Sequence, residues 1–202
     1  MRKTGVSAPE PHPAGGVSLG VRIAECTADI IELAALRRQA DALRAVAAAR
    51  SVPLPASGRL GPGADGLILE VRPERWLLVC APAAPGAAAQ SWQAACAGCA
   101  AVIELSAALT AYHVTGAAAR ETLIRGCRLD LDPRVFPAGS AAATLMAQVP
   151  VIIGALASGV LLLTPSSTAR HFHEWLIHVA KPFGLAPLAS VTVARLHGEC
   201  LT

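Results

Sequence analysis

Aromatic side chains are scarce: three Phe, three Trp and one Tyr amount to 3% of 202 residues. Few platforms remain on which bases could stack. The net charge of +3 is mild, and the Lys and Arg are scattered rather than clustered. Both points argue against nucleic acid as a partner. Alanine supplies much of the 53% hydrophobic content and buries little area per residue. The core must therefore come from Leu, Val and Ile strands.

Charge is missing altogether from Val135 to Ala169. On hydropathy alone Ala141–Leu163 would pass as a membrane span. Pro150, Gly154, Ser158 and Gly159 punctuate the run at turn-like intervals, however. Strand formers cluster at Val149–Ile153 and Val160–Leu163. No aromatic belt flanks the run, and Arg134 and Arg170 stand alone beside it. Apolar strands buried between layers account for this pattern better than a span.

A secretory signal is also missing, since Met1-Arg2-Lys3-Thr4 leads into Gly, Ser and Pro rather than an apolar stretch. The six cysteines are therefore expected as reduced thiols, and the chain as cytoplasmic. No G-x-S-x-G, P-loop, H-E-x-x-H, or G-x-G-x-x-G after a strand occurs. Residue types alone demand no catalysis.

What is present reads in order as follows. Residues 1–17 carry Pro, Gly and Ser without apolar periodicity, a disordered leader. Val21–Ala24 suits an opening strand. Asp29–Ala49 reads mostly as helix, although Asp29–Leu33 also suits a strand. Ser51–Ala64 is a Pro- and Gly-rich surface loop. Gly66–Ala81 is the clearest hairpin, turning at Arg72-Pro73-Glu74-Arg75. Ala87–Ala97 is an Ala-rich helix that Gly98 ends.

Two β-rich runs follow, Val102–Leu105 and Ala111–Val114. A short helix, Ala117–Ile124, has Arg120 and Glu121 on the wet side and Leu123 and Ile124 turned inward. Gly126 suits a left-handed residue after its end. A turn-rich link, Asp130 to Gly139, leads to apolar strands broken at Pro150, Gly154 and Gly159. A serine at 166 or 167 is available to cap Ala169–Lys181, an amphipathic helix with Phe172, Trp175, Leu176 and Val179 on one face. The tail is strand-like at Val191–Val193. Strands and helices alternate without a strict βαβ repeat, which predicts α+β with a mostly antiparallel sheet and packed helices. The expected domain is 18–185, with 186–202 as a C-terminal extension.

Three clusters could carry chemistry, and each has a plainer reading. Cys96-Ala97-Gly98-Cys99 has zinc or redox spacing but no second pair, and it ends a helix rather than beginning one, so buried thiols are expected. His171, Glu174 and His178 share a helix face that suits solvent or a partner better than a metal, with His173 pointing elsewhere. Asp130 and Asp132 could pair for acid/base work, yet Asp-Leu-Asp-Pro after a helix suits a turn. No catalytic, cofactor-binding or metal residue is assigned.

Several segments taken together resemble the gamma subunit of heterotetrameric sarcosine oxidase. They are Arg75-Trp76-Leu77-Leu78-Val79, Val114-Thr115-Gly116-Ala117-Ala118-Ala119-Arg120, the run from Gly126 to Gly139, and Ala143-Thr144-Leu145. Ser166, Trp175 and Leu176 in the late helix resemble the same family. The match covers roughly residues 20–185, and its specific part is Gly-Cys-x-Leu-Asp-Leu-x-Pro-x-x-Phe-Pro at 126–137. Leu105-Ser106-Ala107-Ala108-Leu109 departs from the gamma pattern by lacking its acidic and basic residues.

The resemblance implies a fold like the folate-binding domain of the glycine-cleavage aminomethyltransferase. It also implies a complex that demethylates sarcosine oxidatively to glycine. Alpha and beta subunits would hold FAD, FMN, NAD and tetrahydrofolate, and a small delta subunit zinc, with no cofactor in this chain. The aminomethyltransferase relatives have an Asn, a Gly-Gly and acidic residues where this chain reads Leu145-Met146-Ala147-Gln148-Val149-Pro150-Val151, so a folate pocket of that type is not expected. The leading reading is a non-catalytic structural subunit. The alternatives are a stand-alone folate-binding protein of the aminomethyltransferase superfamily, and a small membrane protein spanning at Ala141–Leu163.

Overall fold

The computed structural model describes residues 20–186, 189–193 and 196, and the expected leader lies outside them. The first half of the chain runs β1 (Arg22–Thr27), β2 (Asp29–Ala35), α1 (Ala40–Ala49), β3 (Leu60–Pro62), β4 (Gly66–Arg72), β5 (Arg75–Cys80), α2 (Ala87–Ala95) and β6 (Ala100–Glu104). The second half runs β7 (Leu109–Thr115), α3 (Ala119–Leu123), β8 (Ala141–Met146), β9 (Val149–Ala155), β10 (Gly159–Pro165), α4 (Ala169–Ala180) and β11 (Ala189–Thr192).

The strands form a six-stranded sheet, β11-β1-β7-β10-β9-β8, and a five-stranded sheet, β3-β4-β5-β2-β6. Every pairing between these strands is antiparallel except β1 with β11. Residues 189–192, placed by sequence in the C-terminal extension, thus supply a strand beside β1. The result is α+β with mostly antiparallel sheets.

Period-2 alternation sorts the side chains into layers. In β10, Val160 and Leu162 face α3 and α4, joining Leu123, Phe172 and Leu176 in one core. Leu161 and Leu163 face the other way and meet Ile30, Leu67, Leu69, Leu77 and Val79 of the five-stranded sheet. That sheet's opposite face, with Ile31, Leu33, Ile68, Trp76 and Leu78, packs on Leu43 and Ala47 of α1 and Trp92 of α2. The layers therefore run helices, sheet, sheet, helices. Both sheets are covered on both faces along their central strands, which therefore carry apolar residues on both faces. The uncharged run from Val135 is the direct result: its candidate span is β8, β9 and β10. No helix among the described residues is long and apolar enough to cross a membrane.

Several local expectations change in the structure. Asp29–Ala35 is strand, because it lies between β5 and β6 and satisfies its backbone on both sides. Pro150 and Gly154 lie inside β9 rather than at breaks. The turn before it is Ala147-Gln148, both at positive φ (51° and 66°), the geometry of a tight hairpin turn without the usual Gly or Asn. A Cβ on Gly154 would lie 2.6 Å from Leu60 Cδ1, so this glycine clears space for the facing sheet.

Gly126 likewise has no left-handed φ. Its missing Cβ would stand 2.4 Å from Trp175 Cζ2, and that indole stacks on Phe172 with centroids 5.6 Å apart. Ile124, expected inward, is 51% exposed. The α4 N-terminus carries no side-chain cap, since Thr168 precedes the helix and its hydroxyl donates to Pro165 O instead.

The layer between the sheets generates a mutational ranking. Leu161→Ala is expected to cost about 2–5 kcal/mol by opening a cavity there. Gly154→Val is expected to cost about 1–3 kcal/mol by forcing the sheets apart. Ile124→Ala should fall within about 0.5 kcal/mol of the parent. Urea unfolding monitored by tryptophan fluorescence measures all three.

Candidate functional site

The link after α3 is organised by one guanidinium. Arg120, expected on the wet side, is half-buried and donates through Nη1 to Leu131 O (2.7 Å) and Phe136 O (2.8 Å). Burial lowers its pKa, while the nearby Asp132 charge pushes it back up. Leu131 and Phe136 thereby stay pressed into the core against α3 and α4.

Asp130 and Asp132 serve the turn in the same link. Asp130 Oδ1 accepts the Asp132 N–H at 2.9 Å. Asp132 Oδ1 accepts the Arg134 backbone N–H at 2.8 Å, and its carboxylate takes the Arg134 guanidinium through Nε and Nη2. These bonds hold the Asp132 carboxyl below its usual range and raise Arg134. A carboxylate held ionised by its own turn makes a poor general acid.

Cys96 and Cys99 sit together at the C-terminal end of α2, both buried, and the Cys99 thiol donates to Cys96 O at 3.4 Å. Burial, then the proximity of Cys99, pushes the Cys96 thiol up to about 11. Cys80 is also raised to about 11, by burial and then by the Asp29 and Asp65 charges. Protonated thiols of this kind are poor nucleophiles and poor metal ligands. His171, Glu174 and His178 are exposed on the outer face of α4. His173 is turned toward the sheet, with its ring centroid 5.7 Å from that of Tyr112, and its Nδ1 is buried without a hydrogen-bond partner. Among the described residues no cluster of three or more His, Cys, Asp or Glu could hold a metal.

Two glutamates escape the sequence reading. Glu32 in β2 is buried, accepts Arg75 Nη1 at 2.5 Å and lies 3.5 Å from Arg72 Nη2. Glu70 in β4 is buried, with Oε1 accepting the Glu74 N–H at 3.0 Å and Oε2 unpartnered. The available signal was a lone carboxylate inside each apolar strand.

One open cavity measures about 720 Å³ and is lined by Glu25, Thr27, Ser106, Thr110, Ser166 and His173 among others. Beside it the Tyr112 hydroxyl donates to Ala169 O at 3.3 Å, and burial followed by the Glu25 charge pushes its pKa up to about 12. Another cavity, of about 470 Å³, lies between β4, β5 and α2, with Ile68, Leu78 and Trp92 in its wall. Arg50 sits 4.5 Å above the Trp92 ring centroid and donates to Ser91 Oγ at 2.7 Å. The segment compared with the folate relatives, Leu145–Val151, forms the β8–β9 hairpin, with Met146, Val149 and Val151 buried and no carboxylate among its side chains. Its residues do not fit a folate site built on acidic groups.

The raised thiols set a pH dependence. Folded Cys80 and Cys96 keep their protons to about pH 11, whereas an unperturbed thiol releases its proton near 9.0. Between those values the unfolded state binds fewer protons, so the stability these two thiols contribute is full below pH 9 and is lost as pH rises toward 11. Melting scans across that window test the slope. Alkylation mass spectrometry should find Cys96 and Cys99 unmodified in the native chain and modified in denaturant.

Residues 37–181 match the sequence profile of the sarcosine oxidase, gamma subunit family. The sarcosine oxidase subunit gamma of Arthrobacter sp. is 32% identical over 153 residues, covering 74% of this chain and 72% of that protein. The subunit gamma of Corynebacterium sp. (strain P-1) is also 32% identical, over 89 residues and 44% of each chain. This chain thus spans less than half of one relative and most of the other.

Among solved structures, a chain of the heterotetrameric sarcosine oxidase from Corynebacterium sp. U-96, in complex with pyrrole 2-carboxylate, superposes with a TM-score of 0.72 at 28% identity. The match covers 84% of this chain and 88% of that one. The glycine cleavage system aminomethyltransferase T from Bartonella henselae gives a TM-score of 0.61 at 14% identity, over 90% of this chain and 50% of that one, a likeness of fold alone. The profile match covers well over half of the sequence, and on that ground the chain belongs to the sarcosine oxidase gamma subunit family.

Proposed function

We propose that this chain is a non-catalytic structural subunit of a flavin-dependent heterotetrameric sarcosine oxidase, the complex that demethylates sarcosine oxidatively to glycine. The observation that carries the reading is the likeness to a chain of the heterotetrameric enzyme along 84% of this sequence. In this reading its partners are the alpha, beta and delta subunits. Those subunits carry FAD, FMN, NAD, tetrahydrofolate and zinc, and the assembly is cytoplasmic.

The local chemistry supports a structural role. Asp132 is engaged in a turn, Arg120 in backbone carbonyls, and Cys96 and Cys99 are buried protonated thiols. A scaffold of two sheets packed face to face, with helices over both outer faces, suits a subunit that fixes larger chains relative to one another.

The test is affinity purification of the tagged chain from its native host, with mass spectrometry and an absorbance spectrum of the eluate. Co-elution with two larger chains that carry flavin and a small Cys-rich chain is the expected outcome. A colourless eluate holding this chain alone would overturn the reading, and saturable tetrahydrofolate binding by that lone chain would replace it with the stand-alone folate protein.

A further inference from the structure

The apolar layer between the sheets stops before the five-stranded sheet does. On its inner face β2 presents Ile30, Glu32 and Ala34 in turn. Leu36 extends the alternation, because its N–H still donates to Cys99 O in line with the β2–β6 ladder. Ile30 is 1% exposed and Leu36 is 43% exposed. On β6, Ile103 stands opposite Glu32 and Ala101 opposite Ala34 on the same face; Ile103 is 43% exposed and Ala101 is exposed too. Leu36, Ala101 and Ile103 therefore form neighbouring apolar side chains that the six-stranded sheet leaves open, around Ala34, which is itself buried. Single exposed apolar side chains are ordinary; adjacent ones on one sheet face point to a partner.

Positive charge borders these side chains. Arg75 stands opposite Ala34 on the β5 side, and Arg72 opposite Arg75 in β4. Both reach the same buried carboxylate, Glu32, while their side chains stay 62% (Arg72) and 47% (Arg75) exposed. One carboxylate shared by two guanidiniums leaves donors and a positive charge facing outward. Arg37 and Arg38 follow Leu36 at the same end, where the Ala35 N–H donates to Glu74 O. Residues 32–38 and 72–75 together hold four arginines against two glutamates. An apolar centre with arginines around it is the composition of an interface core.

We propose that this open end of the five-stranded sheet docks a carboxylate-bearing segment of a partner subunit. An apolar side chain of that segment packs between Leu36 and Ile103, and its carboxylates engage Arg72 and Arg75. The charge complement selects an acidic partner over a neutral or basic one. This inference deepens the subunit reading and rests on it.

Ile103→Asp and Arg72→Glu test the site in the tagged full-length chain, purified with its complex from the native host. Both side chains are exposed, and Arg72→Glu leaves the shorter Arg75–Glu32 bond in place. Each variant is expected to lower retention of the large subunits by about tenfold or more. Retention by the parent chain should fall as salt is added, and Ile124→Asp, on an exposed residue of another layer, should retain the large subunits as the parent does.

A second readout needs no substitution: phenylglyoxal should modify Arg72 in the isolated chain and spare it in the assembled complex. Parent retention matched by both variants, with Arg72 modified equally in both states, would overturn the docking site while leaving the subunit reading intact. A parent that retains no subunits removes both. A free chain that is dimeric, and that Ile103→Asp makes monomeric without loss of the large subunits, would assign this apolar surface to self-association and overturn the proposal.

Discussion

The apolar layer shared by the two sheets is the constraint from which the rest of the molecule follows. Leu161 and Leu163 on one side and Leu67, Leu69, Leu77 and Val79 on the other each need the facing sheet to exclude water. Because that layer exists, each sheet has an outer face left to cover, and each helix pair covers one. The composition follows too. Antiparallel sheets with one wet face alternate apolar and polar residues, whereas these strands are apolar on both faces and read like a membrane segment. Gly154 belongs to the same constraint, since the contact needs Leu60 and Leu69 to approach the β9 backbone.

How far the sequence foretold this structure depended on whether the deciding contact was local. The β4–β5 hairpin and the α4 helix were evident because a turn signal or a 3.6-residue period lay within a few residues. Asp29–Ala49 was read mostly as helix, with Asp29–Leu33 open to strand, and pairing with β5 and β6 decides Asp29–Ala35 for strand. The Ala147-Gln148 turn carried no glycine or asparagine to mark it. Gly126 and Gly154 were recognised as special positions for the wrong reason. Their value lies in what touches them, a tryptophan and two leucines, and no short-range pattern encodes a distant neighbour.

The candidate site divides the same way. The Asp130–Asp132 turn was foreseen because its hydrogen bonds stay within two residues. Burial of Cys96 and Cys99 was foreseen because their spacing lacked a second pair. Arg120 was not, since its carbonyl partners lie 11 and 16 positions away. Nor was Glu32, whose guanidinium partners come from the β4–β5 hairpin. The specific motif at 126–137 is thus, physically, a loop whose Leu131 and Phe136 plug the core while Arg120 ties their carbonyls.

The parallel pairing of β1 with β11 bears on how the chain is made. Ser190 donates to Glu25 O across 165 positions of sequence, so two strands synthesised far apart in time end up side by side. Contacts this remote in sequence close slowly, because much of the chain must be ordered before they repay the entropy of closure. While the ribosome is still at work β1 can pair with β7, but its other edge has no strand until residues 189–192 emerge. An unpaired edge next to so much uncharged apolar sequence invites misassembly during that interval. Early termination of translation would leave that edge bare for good.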